Sequence, residues 1–161
     1  MHKLIKDGVI TEDNWHFISG DDAVIPDGPV LVSLPLWQAN KEQLAKRKEL
    51  GIWLDSDESP RLIADEIEKF QVIAINFPAF TDGRGFTYAR ELREQMNFKG
   101  ELRAIGSFIR DQLYYLKRCG FNAFKLENTD MQAAISSLND FSNAYQAASD
   151  DPVPLFRRRN P

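Results

Sequence analysis

The chain has 161 residues, of which 43% are hydrophobic and 27% are charged, and its formal net charge is -4. These values are typical of a globular protein and exclude a disordered chain, a coiled coil and a fibre. No apolar run approaches the ~20 residues of a membrane-spanning helix, and the first residues lack the apolar region of a signal peptide. We therefore expect a cytoplasmic protein that does not enter a membrane.

Residues 1–29 differ in pattern from the rest of the chain and are predicted to form an N-terminal β extension. Two segments in it have strand character, residues 3–10 and residues 15–18. The turn-forming residues 11–14 between them predict a small antiparallel pair.

Residues 30–148 alternate short apolar runs with helical patterns. The runs predict five strands, which cover residues 30–34, 52–55, 72–77, 102–105 and 123–126. The helical patterns cover residues 41–50 (ending at Gly51), 59–70, 86–98, 107–119 (capped by Ser107, with Ile109 inward) and 130–147. The alternation predicts an α/β domain with a five-stranded, mainly parallel sheet flanked by helices.

Two architectures satisfy this alternation equally well. One is an open sheet of the flavodoxin-like or Rossmann-like kind, and the other is a partial β/α barrel; strand order separates them. The tail, residues 149–161, contains three prolines and no periodicity, which predicts an extended or disordered segment.

In either architecture ligands bind at the carboxyl ends of the strands, and the loop after the 72–77 strand is the richest candidate. Asp82, Gly83, Arg84 and Gly85 precede a helix there, so backbone N–H groups and the Arg84 guanidinium could hold a phosphate, sulfate or carboxylate. The alternative is a glycine-rich turn in which Asp82 pairs locally with Arg84. Tyr88 stands where a dinucleotide fingerprint needs its third glycine, and no Walker lysine follows.

Arg103 is the second candidate ligand residue, because it lies inside an apolar strand. A buried guanidinium there needs a partner, for which Asp82, Glu101 and Asp111 are available. Alternatively, the side chain lies at the entrance of the strand with its charged group in water.

A protein-contact surface is predicted on the helix that follows this strand. Residues 82–118 carry 8 basic and 5 acidic side chains, a net charge of +3 within an acidic chain. Arg110, Tyr114 and either Lys117 or Arg118 share one helix face, and arginine and tyrosine are enriched in interface cores. Internal ion pairs on a solvated face are the alternative, and the signs are too mixed for a nucleic-acid surface.

The sequence provides few residues for catalysis or for cofactor binding. Cys119 is the only cysteine, which excludes an internal disulfide and a Cys-based zinc site; it is predicted to be a buried, inert thiol. His2 and His16 lie outside the predicted α/β domain, and no carboxylate–histidine cluster offers a metal site. No catalytic residue and no cofactor can be assigned.

Four motifs, taken in order, carry a family resemblance. They are the runs at residues 77–86, 100–106, 110–113 and 118–124. Together they resemble an uncharacterised bacterial family that is encoded beside the genes of assimilatory sulfite reductase and is often labelled an oxidoreductase. Ser107 departs from the aspartate expected after Gly106.

Two functions of different classes follow. The resemblance implies an accessory protein of sulfate and sulfite reduction that docks on sulfite reductase or on its electron supply. The residues themselves predict a small-molecule enzyme or binder with an oxyanion site at Asp82–Gly85, assisted by Arg103.

Overall fold

The computed structural model describes residues 3–20, 24–126 and 130–138. A sheet of eight strands forms its centre. In chain order the strands are β1 (Lys3–Lys6), β2 (Val9–Glu12), β3 (His16–Ile18), β4 (Val30–Ser33), β5 (Leu50–Leu54), β6 (Val72–Phe77), β7 (Glu101–Gly106) and β8 (Ala123–Phe124). The sheet therefore has more strands than the five predicted, because β1, β2 and β3 join it.

The strand order across the sheet is β2-β1-β8-β7-β6-β5-β4-β3. Strands β3 to β8 are parallel and follow the chain in sequence, whereas β1 is antiparallel to both β8 and β2. A flavodoxin-like or Rossmann-like sheet reverses its strand order at a switch point, and the sequential order found here is that of a partial barrel. The second of the two predicted architectures is the one that fits.

The short connection between β2 and β3 shows how strongly the sheet curls. These two strands form its opposite edges, which would lie about 34 Å apart in a flat eight-stranded sheet. Residues 13–15 link them, and the four Cα steps from Glu12 to His16 span at most about 15 Å. The sheet must therefore curl into a half-barrel, with residues 13–15 crossing its interior.

Helical segments cover the outer face of the half-barrel. They are α1 (Leu34–Ala39), α2 (Lys41–Leu44), a 3₁₀ helix (Pro60–Lys69), α3 (Arg84–Arg90) continued as a π-helical turn (Glu91–Gln95), a 3₁₀ turn (Arg110–Gln112), α4 (Leu113–Cys119) and α5 (Met131–Leu138). Sequential parallel strands with right-handed crossovers place such helices on one face of the sheet. The main hydrophobic core lies between them and the sheet, and it includes Trp37, Ile73, Phe77 and Leu116.

A second, smaller apolar cluster lies on the interior face. Leu31, Val72, Ala74 and Ile105 form it, with the partly buried Trp15 and Trp53 packed against them. Side chains alternate between the two faces along each strand, so β6 sends Ile73 outward and Ala74 inward. The interior face is the one that meets residues 13–15.

The predicted pairing of the N-terminal segments is wrong. Strand β1 pairs with β2 through a turn at Asp7 and Gly8, both of which have positive φ. Strand β3 instead pairs in parallel with β4. The Asp-Gly pair is a strong hairpin signal, and it lies inside the run of residues 3–10 that was expected to be one strand.

Several predicted helix boundaries also shift. In the segment 41–50 only Lys41–Leu44 is helical, as α2; Leu50 already belongs to β5, and Gly51 lies inside that strand, not at a helix end. Ser107 does not cap a helix, since the 3₁₀ turn begins at Arg110, and Ile109 is exposed. The prediction for residues 130–147 agrees with α5 as far as Leu138, and residues 139–161, including the predicted tail, lie outside the described part.

No helix in the described ranges is long and apolar enough to span a membrane.

Candidate functional site

The carboxyl ends of the parallel strands meet at one edge of the half-barrel, here called the carboxyl edge. A cavity of about 360 Å³, the Lys125 cavity, opens there and is lined by Phe17, Asn76, Ile105, Gly106, Ser107 and Lys125. A second cavity of about 410 Å³, the Asp55 cavity, is lined by Ser19, Gly20, Ser33, Pro35, Trp53, Asp55, Asp57 and Glu58. Both have the size of small-molecule sites.

Two contacts form the wall between the cavities. The Asn76 side-chain amide donates a hydrogen bond to Asp55 Oδ1 at 3.0 Å. The ring of Phe17 stacks on that of Trp53, with centroids 4.8 Å apart and an interplanar angle of 26°. The Trp53 indole N–H donates to the carbonyl of Ile18 at 3.2 Å, which fixes the orientation of the stacked pair.

An interior charge cluster lies on the same face of the sheet as the Lys125 cavity. It consists of Lys6, Asp13, Glu101, Arg103 and Lys125. The Arg103 guanidinium donates to Asp13 Oδ1 at 3.0 Å and to Glu101 Oε1 at 2.8 Å. Lys6 pairs with Glu101 at 3.3 Å, and Lys125 pairs with Asp13 Oδ2 at 3.5 Å.

Lys125 is the member of this cluster that reaches the cavity. Its partner Asp13 is buried and shared, since the same carboxylate also binds Arg103 and accepts the backbone N–H of Trp15. The five described residues of the cluster comprise three cations and two carboxylates, so a net positive charge remains. Lys125, whose side chain is 27% exposed, is the cation of this cluster that lines the cavity.

The Asp55 cavity has the opposite charge. Asp55, Asp57 and Glu58 line it, and among the described residues that line it there is no lysine or arginine. Burial raises the pKa of Glu58, the hydrogen bond from the backbone N–H of Asp55 lowers it, and the negative charges of Asp57 and Asp55 raise it further. The carboxyl edge therefore has an acidic half and a basic half.

The predicted Asp82–Gly85 loop lies at the same edge, next to the Asp55 cavity. Arg84 donates to both carboxylate oxygens of Asp82, at 3.1 and 2.7 Å, and to the Ser56 hydroxyl at 2.9 Å. The backbone N–H of Arg84 also donates to Asp82 Oδ1. The Asp82 carboxylate thus binds side-chain and backbone N–H donors of Arg84 that an external anion would use. This is the local Asp82–Arg84 pairing that the sequence offered as the alternative to an anion site.

This pairing shifts the pKa values of both residues. Hydrogen bonds from the Arg84 side chain and then from its backbone lower the pKa of Asp82 from 3.8 to about 2. The same carboxylate raises the pKa of Arg84.

The two glycines of the loop have different environments. A Cβ at Gly83 would have 3.9 Å of room to its nearest neighbour, the ring of Phe86. A Cβ at Gly85 would lie 2.5 Å from the ring of Phe77 in β6. Gly85 is therefore required for close packing of α3 on the sheet, whatever the loop binds.

Arg103 does not join the Asp82–Gly85 loop. It is 2% exposed and belongs to the interior charge cluster, where Glu101, one of the predicted partners, and Asp13 hold it. The expectation that its charged group reaches water is wrong, because β7 lies in the middle of the curled sheet and residues 13–15 cover its interior face.

The predicted contact face on α4 is only partly exposed. Arg110 is exposed and Tyr114 is partly buried, whereas Arg118 is 8% exposed and turned into the protein. Cys119 is fully buried, as predicted, and burial raises the pKa of its thiol. An inert thiol is what this environment favours.

Lys125, Asn76 and Phe17 line the Lys125 cavity but were not among the predicted site residues. Lys125 directly follows β8, and a lysine beside an apolar strand at the carboxyl edge is a signal that could have identified it.

Within the described ranges, no group of three or more His, Cys, Asp or Glu side chains is placed to hold a metal ion.

The fold and these cavities define the class of the protein: an α/β half-barrel with a polar carboxyl edge. The chain belongs to the family described as bacterial protein of unknown function (DUF934), whose model matches residues 51–156. No curated protein and no solved structure matches the chain. The matched residues include Asn76, Arg103 and Lys125, while Asp13 and Phe17 precede them.

Proposed function

We propose that the protein binds a small anionic ligand in the Lys125 cavity, as an enzyme or as a binding protein. The supporting observation is the position of Lys125: a lysine of a net positive cluster lines a cavity at the carboxyl edge of parallel strands. Ser107 adds a hydroxyl donor to the same wall. In α/β folds this edge is where ligands bind.

A thermal-shift panel of sulfate, sulfite, phosphate and small carboxylates tests this function. A ligand present at a hundredfold excess over its Kd stabilises the folded state by about 2.7 kcal/mol, which is a readily measured shift. We expect a shift for at least one anion, its loss in Lys125→Gln, and its retention in Lys99→Gln, since Lys99 lies at the opposite edge, before β7. No shift for any anion, or an equal shift in Lys125→Gln, contradicts the proposal.

The Asp82–Gly85 loop is a second proposed location for the same anion. A ligand there would have to displace the Asp82 carboxylate from Arg84, and the exposed position of the Arg84 side chain makes such an exchange sterically accessible. Arg84→Ala separates the two locations: loss of the anion shift with an unchanged fold supports the loop, and retention supports the Lys125 cavity.

A second function, docking on sulfite reductase or on its electron supply, is proposed from the resemblance of the four motifs. An exposed apolar patch supports protein contact: Phe80 is 54% exposed and Ile109 is exposed beside it. Gln112 holds the two together, since its amide donates to the carbonyl of Phe80 and accepts the N–H of Ile109. Arg110, also exposed, adds positive charge that could steer an acidic partner.

Pull-down from the native cytosol tests the docking proposal. We expect enrichment of a sulfite reductase subunit, lost in the double variant Phe80→Ser/Ile109→Ser and retained in Leu62→Ser, where an equally exposed leucine lies elsewhere. If the reductase is never enriched and a deletion strain grows normally on sulfate, the proposal is wrong.

A further inference from the structure

The Lys125 cavity has an aromatic wall as well as a charged one. Phe17 lines it and is 45% exposed, although its ring stacks on Trp53. One surface of the ring is thus covered by the indole, and much of the remainder is open. An exposed, orientationally fixed aromatic ring beside a cavity is a ready stacking surface for another planar ring.

The position of Phe17 is set by the sheet and not by a mobile loop. Phe17 lies in β3, in register with Leu31 of β4, and the hydrogen bond between Trp53 and Ile18 holds its stacking partner. Ile105, which is nearly buried, supplies a second apolar surface to the cavity. The apolar part of a ligand therefore meets a preformed surface.

Charge and aromatic surface occur in one cavity of about 360 Å³. This volume is at the small end for ligand sites, so one compact molecule must contact both Lys125 and Phe17. A purely inorganic oxyanion would leave the Phe17 and Ile105 surfaces in water, and a neutral ring would leave Lys125 without an anionic partner in the cavity.

We propose that the ligand of the Lys125 cavity is a planar ring compound carrying an acidic group, with the ring against Phe17 and the acid on Lys125 and Ser107. This inference rests on the proposed anion-binding function and narrows its ligand class. A ring carboxylate and a nucleoside monophosphate both have this chemistry.

A matched ligand series tests the inference, with binding followed by the amide signal of Lys125 and the indole signal of Trp53 in NMR titrations. The series contains 2-naphthoate, cyclohexanecarboxylate, which has the charge without the planar ring, and 2-naphthylmethanol, which has the ring without the charge. AMP, inorganic phosphate, which has the charge without the ring, and adenosine, which has the ring without the charge, form the corresponding phosphate arm. We expect 2-naphthoate to bind about two- to tenfold more tightly than cyclohexanecarboxylate, and AMP than phosphate, which is the range of an added aromatic contact. Both acids should also bind more tightly than 2-naphthylmethanol and adenosine, which lack the charge.

Variants test the ring contact at Phe17 and the acid contact at Lys125 separately. Phe17→Leu should abolish the preference for the ring compound and leave the weaker binding of inorganic phosphate unchanged, whereas Phe80→Leu, at an exposed ring elsewhere, should change neither. Lys125→Gln should abolish binding of every acid. A native-like spectrum of each variant shows that the fold is retained.

The outcomes separate this inference from the function on which it rests. If cyclohexanecarboxylate binds as tightly as 2-naphthoate, and AMP no more tightly than phosphate, the aromatic inference is wrong while the anion site stands. Equal binding of 2-naphthylmethanol and 2-naphthoate overturns it as well, because the acid then contributes nothing. If no acid and no phosphate binds, both proposals are wrong.

Discussion

Gly83 and Gly85 are two residues apart and look equivalent in the sequence, yet only one of them is fixed by packing. Phe77, which a Cβ on Gly85 would meet, is buried and held by Phe86, Phe108 and Phe121, so its ring cannot move aside. Packing therefore explains only one glycine of the Gly-Arg-Gly motif, Gly85, and places no such requirement on Gly83.

The glycine pair gives the first prediction. Gly85→Ala should lower the free energy of unfolding by about 1 to 3 kcal/mol, the range for overpacking a well-packed core. Gly83→Ala, the matched control, should change it by no more than about 0.5 kcal/mol, as a surface substitution does. Urea denaturation of both variants measures the difference, and equal stabilities would show that α3 does not pack on Phe77 as described.

The Asp82–Arg84 pair gives the second prediction, which concerns pH. Because the folded-state pKa of Asp82 is lowered from 3.8 to about 2, its stabilising effect is complete above pH 3.8 and is lost as the pH falls through about 2. Arg84→Ala should return the pKa of Asp82 towards 3.8. An NMR titration of the Asp82 carboxyl carbon checks this, and an unchanged low pKa in the variant would mean that Arg84 is not its cause.

At the scale of elements, β7 connects the N-terminal segment to the centre of the sheet. Arg103 in β7 and Asp13 in the β2–β3 connection are both nearly inaccessible, and they are separated by 90 positions in the chain. A buried ion pair of this kind costs desolvation and contributes chiefly by fixing which segments meet. Here it holds residues 13–15 across the interior of the half-barrel.

The third prediction follows from this burial. Arg103→Met should destabilise the fold by about 3 to 5 kcal/mol, because it leaves the carboxylates of Asp13 and Glu101 buried without their main cation. Lys6→Met removes a partly exposed cation from the same Glu101 and should cost no more than about 1 kcal/mol. Thermal unfolding of both variants measures the two losses of stability. Similar losses would mean that Arg103 is not an essential partner of Asp13 and Glu101.

The elements that the sequence predicted best are those whose signals are local. Strand β6 follows from the apolar run at residues 72–75, the 3₁₀ helix from Ser59 and Pro60, and the end of α4 from Gly120, whose φ is +120°. Helix α1 was not predicted, because Leu34 was placed at the end of the strand 30–34 and the residues after it, which begin with Pro35, were placed in a loop. Pro35 stands near the start of α1, where a proline is tolerated, and Ser33 caps the helix.

Gly51 and strand β3 were misassigned for a nonlocal reason. Gly51 fits a helix end by sequence, but in β5 it accommodates Leu31, whose side chain would lie 2.6 Å from a Cβ at this position. Likewise β3 joins β4, not the preceding strands. Such strand pairings depend on the curl of the whole sheet, which cannot be predicted from a local sequence pattern.

At the scale of the whole molecule, the curl assembles a site from distant parts of the chain. The Lys125 cavity combines residues of β3, β6 and β7 with the residue after β8, and Asp13 comes from the connection that crosses the interior. The sequence predicted that a ligand binds at the carboxyl edge, with the Asp82–Gly85 loop as the richest candidate, and this placement of the ligand stays a prediction. Phe17 could not be selected, because its position in the same cavity as Lys125 exists only once the sheet has curled.

Binding of an anion beside Lys125 is best tested by mapping the amide chemical shifts that change when the anion binds. On titration of the ¹⁵N-labelled chain with phosphate, we expect saturable shifts at Gly106, Ser107 and Lys125, extending to Phe17. Shifts confined to Gly83, Arg84 and Gly85, or the absence of any saturable shift, would contradict it.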